Sequence, residues 1–139
     1  PQANQVQWIL GGRSDEFGLT ANQRFSFQHC ATRTAAGRLL VFDNGVERSQ
    51  TRVVEYDLDV AARKLKNFKV VYIKDPRLPV STYMGSVYEL EPDMYLVCWG
   101  GTEGDGLRCP DVSILWRGQQ VWTLSFTQPH TWCYRAYGD

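Results

Sequence analysis

The chain has no net charge, no long apolar run and no Cys-x-x-Cys pair, and it holds two histidines and two methionines in 139 residues. Each absence excludes something. Fifteen basic residues against fifteen acidic ones leave no global field to steer the protein toward nucleic acid or an anionic membrane, so no nucleic-acid partner is expected. No apolar stretch is long enough for a membrane-spanning helix, and no basic-then-apolar leader opens the sequence. The chain begins at Pro1, which reads as a processed or internal terminus, of a mature chain or a piece of a longer one. None of the Cys and His spacings matches a zinc site, so neither metal nor cofactor is expected. With 43% hydrophobic and 22% charged residues, the composition is that of an ordinary globular domain with a real core.

Aromatic residues are plentiful: five Trp, seven Tyr and six Phe, spread through Val-rich and Tyr-rich runs suited to pleated, half-buried surfaces. An all-β chain is predicted. Val6–Leu10 reads as a strand running into Gly11-Gly12. Phe25–Ala31 reads as a second, with Phe25, Phe27 and His29 on one face. Arg38–Asp43, Thr51–Leu58 and Asn67–Lys74 follow, the last two separated by a charged stretch, 59–66, able to make a helical turn. Asp43-Asn44-Gly45 is a strong hairpin-turn signal, because Asn and Gly tolerate positive φ. The outline then repeats with Gly85–Leu90, Met94–Trp99, Asp111–Trp116 and Gln120–Phe126, which sets Val41 opposite Val97.

A four-stranded antiparallel unit recurring every 50 to 60 residues is the sequence signature of a propeller blade. The predicted architecture is an incomplete β-propeller. Its blade units are approximately 25–75 and 85–127, with flanking strands at 6–10 and 132–137. Propellers close with about four to eight blades, so further chain or a partner subunit is expected to complete it. A β-sandwich is the alternative. Trp99, Trp116, Trp122 and Trp132 read as aromatics packed between blades.

Cys98 and Cys109 flank one Gly-rich loop, where a disulfide between them would bridge its two strands; four buried free thiols is the other reading. A disulfide points to an oxidising compartment, hence an extracellular, periplasmic or secretory location. His29 is either a pocket residue or a core histidine bonded to a carbonyl, and His130 falls in a Gln-Pro-His loop expected at the surface. Arg48, Arg52 and Arg135 either form an anion-binding set or are surface charges paired with Glu47, Glu55 or Asp139. The Glu103-Gly-Asp-Gly loop lacks the regular ligand spacing of a calcium site and reads as a hairpin connection.

Phe27-Gln28-His29, Val41-Phe42-Asp43-Asn44-Gly45 and Thr51-Arg52-Val53-Val54-Glu55-Tyr56 resemble the arylsulfotransferase family of β-propellers. The likeness continues through Gly85-Ser86, Cys98-Trp99-Gly100 and Tyr134-Arg135-Ala136, and Trp8–Gly12 with Phe17 resembles the segment preceding the histidine. The resemblance implies the C-terminal part of a propeller that moves a sulfuryl group from an aryl sulfate to a phenolic acceptor, without a nucleotide donor. It implies His29 as the catalytic histidine. It also implies Arg48, with Arg52, Asn44 and Arg135, as substrate-binding residues in an anion pocket. Three places depart from the family pattern, one of them Cys133, where a His often precedes the Tyr-Arg-Ala motif. Cys30 stands where Asp is usual, and Thr102-Glu103-Gly104 follow Gly101 where bacterial members carry a second histidine. A non-catalytic propeller section that binds a partner protein or a glycan is therefore the other functional expectation.

Overall fold

The computed structural model describes residues 5–102, 110–127 and 133–137. His130, Cys109, Trp132 and the Glu103–Leu107 loop lie outside them. The chain is all-β. Strands β1 (Cys30–Arg33), β2 (Leu39–Asp43), β3 (Arg52–Asp59) and β4 (Lys64–Ile73) form one antiparallel sheet in sequential order. Strands β6 (Ser86–Glu91), β7 (Met94–Cys98), β9 (Val112–Trp116) and β10 (Gln119–Leu124) form a second meander. A two-stranded ladder joins β5 (Ser81–Tyr83) to β8 (Gly101–Thr102). Two such sheets are compatible with blades of an incomplete propeller and with a sandwich.

Period-2 alternation gives each sheet two apolar faces. Leu40 and Phe42 of β2 and Val53 of β3 meet Val87, Tyr95, Val97 and Leu115 of the second sheet, with Trp99 filling the seam. Val41, Val54 and Tyr56 face the other way, onto Trp8, Leu10, Phe17, Leu19 and Phe25. On the far face of the second sheet, Leu96, Cys98 and Val112 pack with Cys133 and Ala136. Corresponding residues therefore point the same way along the stack: Val41 toward the N-terminal segment, Val97 toward the first sheet. Fully burying a side chain such as Phe42 contributes about 1.5–3 kcal/mol.

Several expectations are corrected. Val6–Leu10 is not a strand; its apolar residues lie as irregular chain against the first sheet. The Phe25–Ala31 strand begins only at Cys30, because Phe27 sits at φ 55, outside the extended region. Residues 133–137 carry no strand. Asp43-Asn44-Gly45 does not close a tight hairpin. Gly45, at φ 65, opens a 3-10 turn over Val46–Arg48, and a longer connection leads to β3. A Cβ on Gly45 would lie 1.9 Å from the Gln50 carbonyl oxygen, so glycine is required there. The charged stretch makes a plain turn with Arg63 at φ 53, and β4 starts early, at Lys64. Trp116 and Trp122 are exposed rather than packed between sheets. Cys98 bonds to Cys133, not Cys109, with Cα atoms 5.9 Å apart. The chain folds back across β7 and brings a residue 35 positions away into disulfide range. Cys30 is a buried free thiol. No helix among the described residues is long and apolar enough to cross a membrane.

Candidate functional site

The site grows from the end of β2. Asp43 is fully buried, and its carboxylate accepts hydrogen bonds from the Ser26 backbone N–H at 2.9 Å and from Arg52 Nε at 2.8 Å. A buried carboxylate is tolerable only with such donors. Arg52 is itself buried. It also donates Nη1 to the Asn22 carbonyl at 2.9 Å and Nη2 to the Arg24 carbonyl at 2.6 Å, with its guanidinium 5.7 Å from the Phe68 ring centre. Arg52 thus ties the 22–26 loop to β3, and its three nitrogens all have protein partners.

Asn44, also fully buried, ties the end of β2 to β5 and the turn that follows it. Its Nδ2 donates to the carbonyls of Ser81 at 2.8 Å and Met84 at 3.0 Å. Its own backbone carbonyl accepts from Thr51 Oγ1, and that hydroxyl oxygen accepts from the Ser81 N–H. With Nδ2 fixed on two acceptors, Oδ1 can only accept, and it faces His29 Nδ1 at 3.1 Å. The Phe27 carbonyl stands 2.9 Å from the same nitrogen. Two acceptors at Nδ1 place the ring proton there. His29 is exposed as a residue, and with the proton on Nδ1 the lone pair of a neutral ring lies on Nε2.

Arg48 ends the 3-10 turn. It donates Nη2 to the Arg24 carbonyl, while its buried Nε lies 3.9 Å from Asp43 Oδ2 and makes no hydrogen bond among the described residues. It borders a cleft of about 960 Å³ whose lining includes the apolar Leu10, Phe25 and Phe27, with Arg13, Arg24, Arg48 and Glu47 as its charged residues. His29 is not among the lining residues. Asp15 braces the loop beside it. Partial burial opposes its ionisation, yet the N–H groups of Gly11, Leu19 and Phe17 prevail and hold its carboxyl below the ordinary value.

Of the residues expected at the site, His29, Asn44, Arg48 and Arg52 are brought together around Asp43. Arg135 is exposed on the C-terminal segment, where Nη1 donates to the Tyr137 hydroxyl at 3.4 Å and the guanidinium stacks 5.5 Å from the Tyr134 ring centre. Among the described residues its partners are these two tyrosines and not the Asp43 group. Arg13, Arg24 and Phe27 escaped sequence reasoning as site residues; the positive φ of Phe27 has no local signature. No family model, curated protein or solved structure matches the chain.

Proposed function

We propose that this chain is a section of an arylsulfotransferase-like β-propeller, moving a sulfuryl group from an aryl sulfate to a phenolic acceptor through His29. The observation that supports the reading is the fixed ring of His29: Asn44 and the Phe27 carbonyl hold the proton on Nδ1, which leaves the lone pair to Nε2 of an exposed residue. A neutral imidazole so oriented is a competent nucleophile. Nε2 forms an N–S bond as the S–O bond to the aryl group breaks and the phenolate leaves. The acceptor hydroxyl then takes the sulfuryl group from Nε2 and gives up its proton to that phenolate. Charge spread over the moving oxygens calls for cationic donors, which Arg48 supplies.

The test is turnover of a chromogenic aryl sulfate with a phenol by the full protein, beside a His29→Gln variant. Transfer by the wild type alone, with the mass of one SO₃ trapped on the His29 peptide, is expected; equal turnover by both refutes the assignment. A second reading, a non-catalytic section that docks on further chain or a partner subunit, draws on one observation. Trp116, Val121, Trp122 and Leu124 are exposed along β9 and β10. Native mass measurement separates the two readings, because a lone monomer at all concentrations counts against docking on another copy. The disulfide is compatible with a secretory location.

A further inference from the structure

The cleft carries three guanidinium groups against one carboxylate, and its cations are underused. Arg13 makes no hydrogen bond or ion pair among the described residues. Arg24 commits only Nε, to the Leu19 carbonyl at 3.3 Å, so its two terminal nitrogens remain available. Beside them Phe27 is held at φ 55 and is 59% exposed. A bulky residue in the left-handed region is strained, and such strain persists where the surroundings impose it, often at ligand sites. No burial offsets it here. The lining also includes bare backbone: Gly11 and Gly12 take φ 75 and 66, and the Phe25 ring lies 2.9 Å from where a Gly11 Cβ would be.

We propose that this cleft binds an acidic polypeptide segment bearing an aromatic side chain, its carboxylates on Arg13 and Arg24 and its ring stacked on Phe27. Arginine suits carboxylates because its fork donates to two oxygens at once. The shape selects a polypeptide over a small molecule, since small-ligand pockets enclose most of the ligand surface and this cleft lies open. The cations come from three separate segments, around residues 13, 24 and 48, which suits charges spaced along an extended ligand rather than one compact anion. Glu47, also in the lining, opposes a phosphate backbone. Arg48 is common to this site and the sulfuryl site, so the test avoids it.

The full chain is titrated into a fluorescein-labelled Glu-Asp-Phe-Glu-Asp peptide and anisotropy is read at two salt concentrations. Binding that weakens with salt is expected, with Arg13→Glu and Phe27→Gly each at least tenfold weaker. Glycine is at ease at φ 55, so Phe27→Gly keeps its melting temperature at or above that of the wild type, and its lost affinity is not lost folding. Wild-type affinity in either variant overturns the proposal. So does equal binding of the peptide with Phe replaced by Ala, or tighter binding of an oligothymidylate. Complete displacement by an aryl sulfate assigns the cleft to the transfer reaction and overturns it as well. The readout is binding, so it succeeds or fails independently of any activity at His29.

Discussion

Asn44→Ala is the perturbation that most directly tests how the end of β2 is tied to β5 and its turn. The side chain is fully buried and donates to two carbonyls, those of Ser81 and Met84, at 2.8 and 3.0 Å. Truncation leaves both acceptors without that donor, and a buried polar group so deprived costs about 1–3 kcal/mol. Water entering the small cavity recovers part of this, which gives a net loss of about 2–4 kcal/mol. In urea, with a slope of about 2 kcal/mol per molar for a chain of this size, the midpoint falls by roughly 1–2 M with an unchanged slope. The same variant removes one of the two acceptors at His29 Nδ1, so the ring proton begins to distribute between its nitrogens, visible as converging imidazole ¹⁵N shifts. A loss below about 1 kcal/mol together with an unmoved tautomer refutes the view that Asn44 both ties β2 to the β5 segment and sets the histidine.

Three further outcomes follow from particular contacts. Gly85→Ala puts a Cβ 2.3 Å from the Phe42 ring at φ 101, so the melting temperature falls by more than for an exposed Ala substitution, by calorimetry; an unchanged value refutes the packing. Cys133→Ser opens the 35-residue link to Cys98 and costs about 3–4 kcal/mol by loop entropy, read by chemical denaturation. Glu55, 3% exposed, is raised above 4.5 by burial, although Arg38 at 2.9 Å and Lys69 oppose the shift and Glu89 and Asp93 add to it. A raised carboxyl contributes stability that is fully present below its unfolded pKa and is lost as pH climbs through the folded value. Wild type therefore loses stability from about pH 4.5 upward, Glu55→Gln shows a flatter profile across that window, and superimposable profiles refute the shift.

The two meanders were legible in the sequence because alternation survives wherever one face is buried: β2, β3, β7 and β9 lie within a residue or two of their expected bounds. Alternation cannot say whether a partner strand exists. Trp8 and Leu10 alternate equally well as irregular chain laid on the first sheet. The β5–β8 ladder escaped because Ser81–Tyr83 and Gly101–Thr102 are too short to carry a period and pair only through the tertiary fold. Nearness in sequence misdirected the cysteines, since β7 delivers Cys98 to the C-terminal segment rather than to the adjoining loop. At the site, the histidine and the turn were visible, but their linkage through the Asn44 amide is a fact of three dimensions. Arg52 is expected at the site from its place after the Asp43-Asn44-Gly45 turn; the structure adds what sequence could not give, its burial and its bonds to Asp43 and to the Asn22 and Arg24 carbonyls.

Strand β10 has a consequence for handling the protein. From Gly118 to Thr127 the sequence contains no charged residue, and among the described residues β10 pairs only with β9. Natural sheets guard such margins with lysine, proline or a bulge that turns the strand aside. The one irregularity here, between Gln120 and Trp122, lies on the side already paired. Colloidal behaviour should therefore limit preparations of this chain before heat does, with losses that scale with concentration, and a single lysine at Val121 should extend shelf life without touching the core.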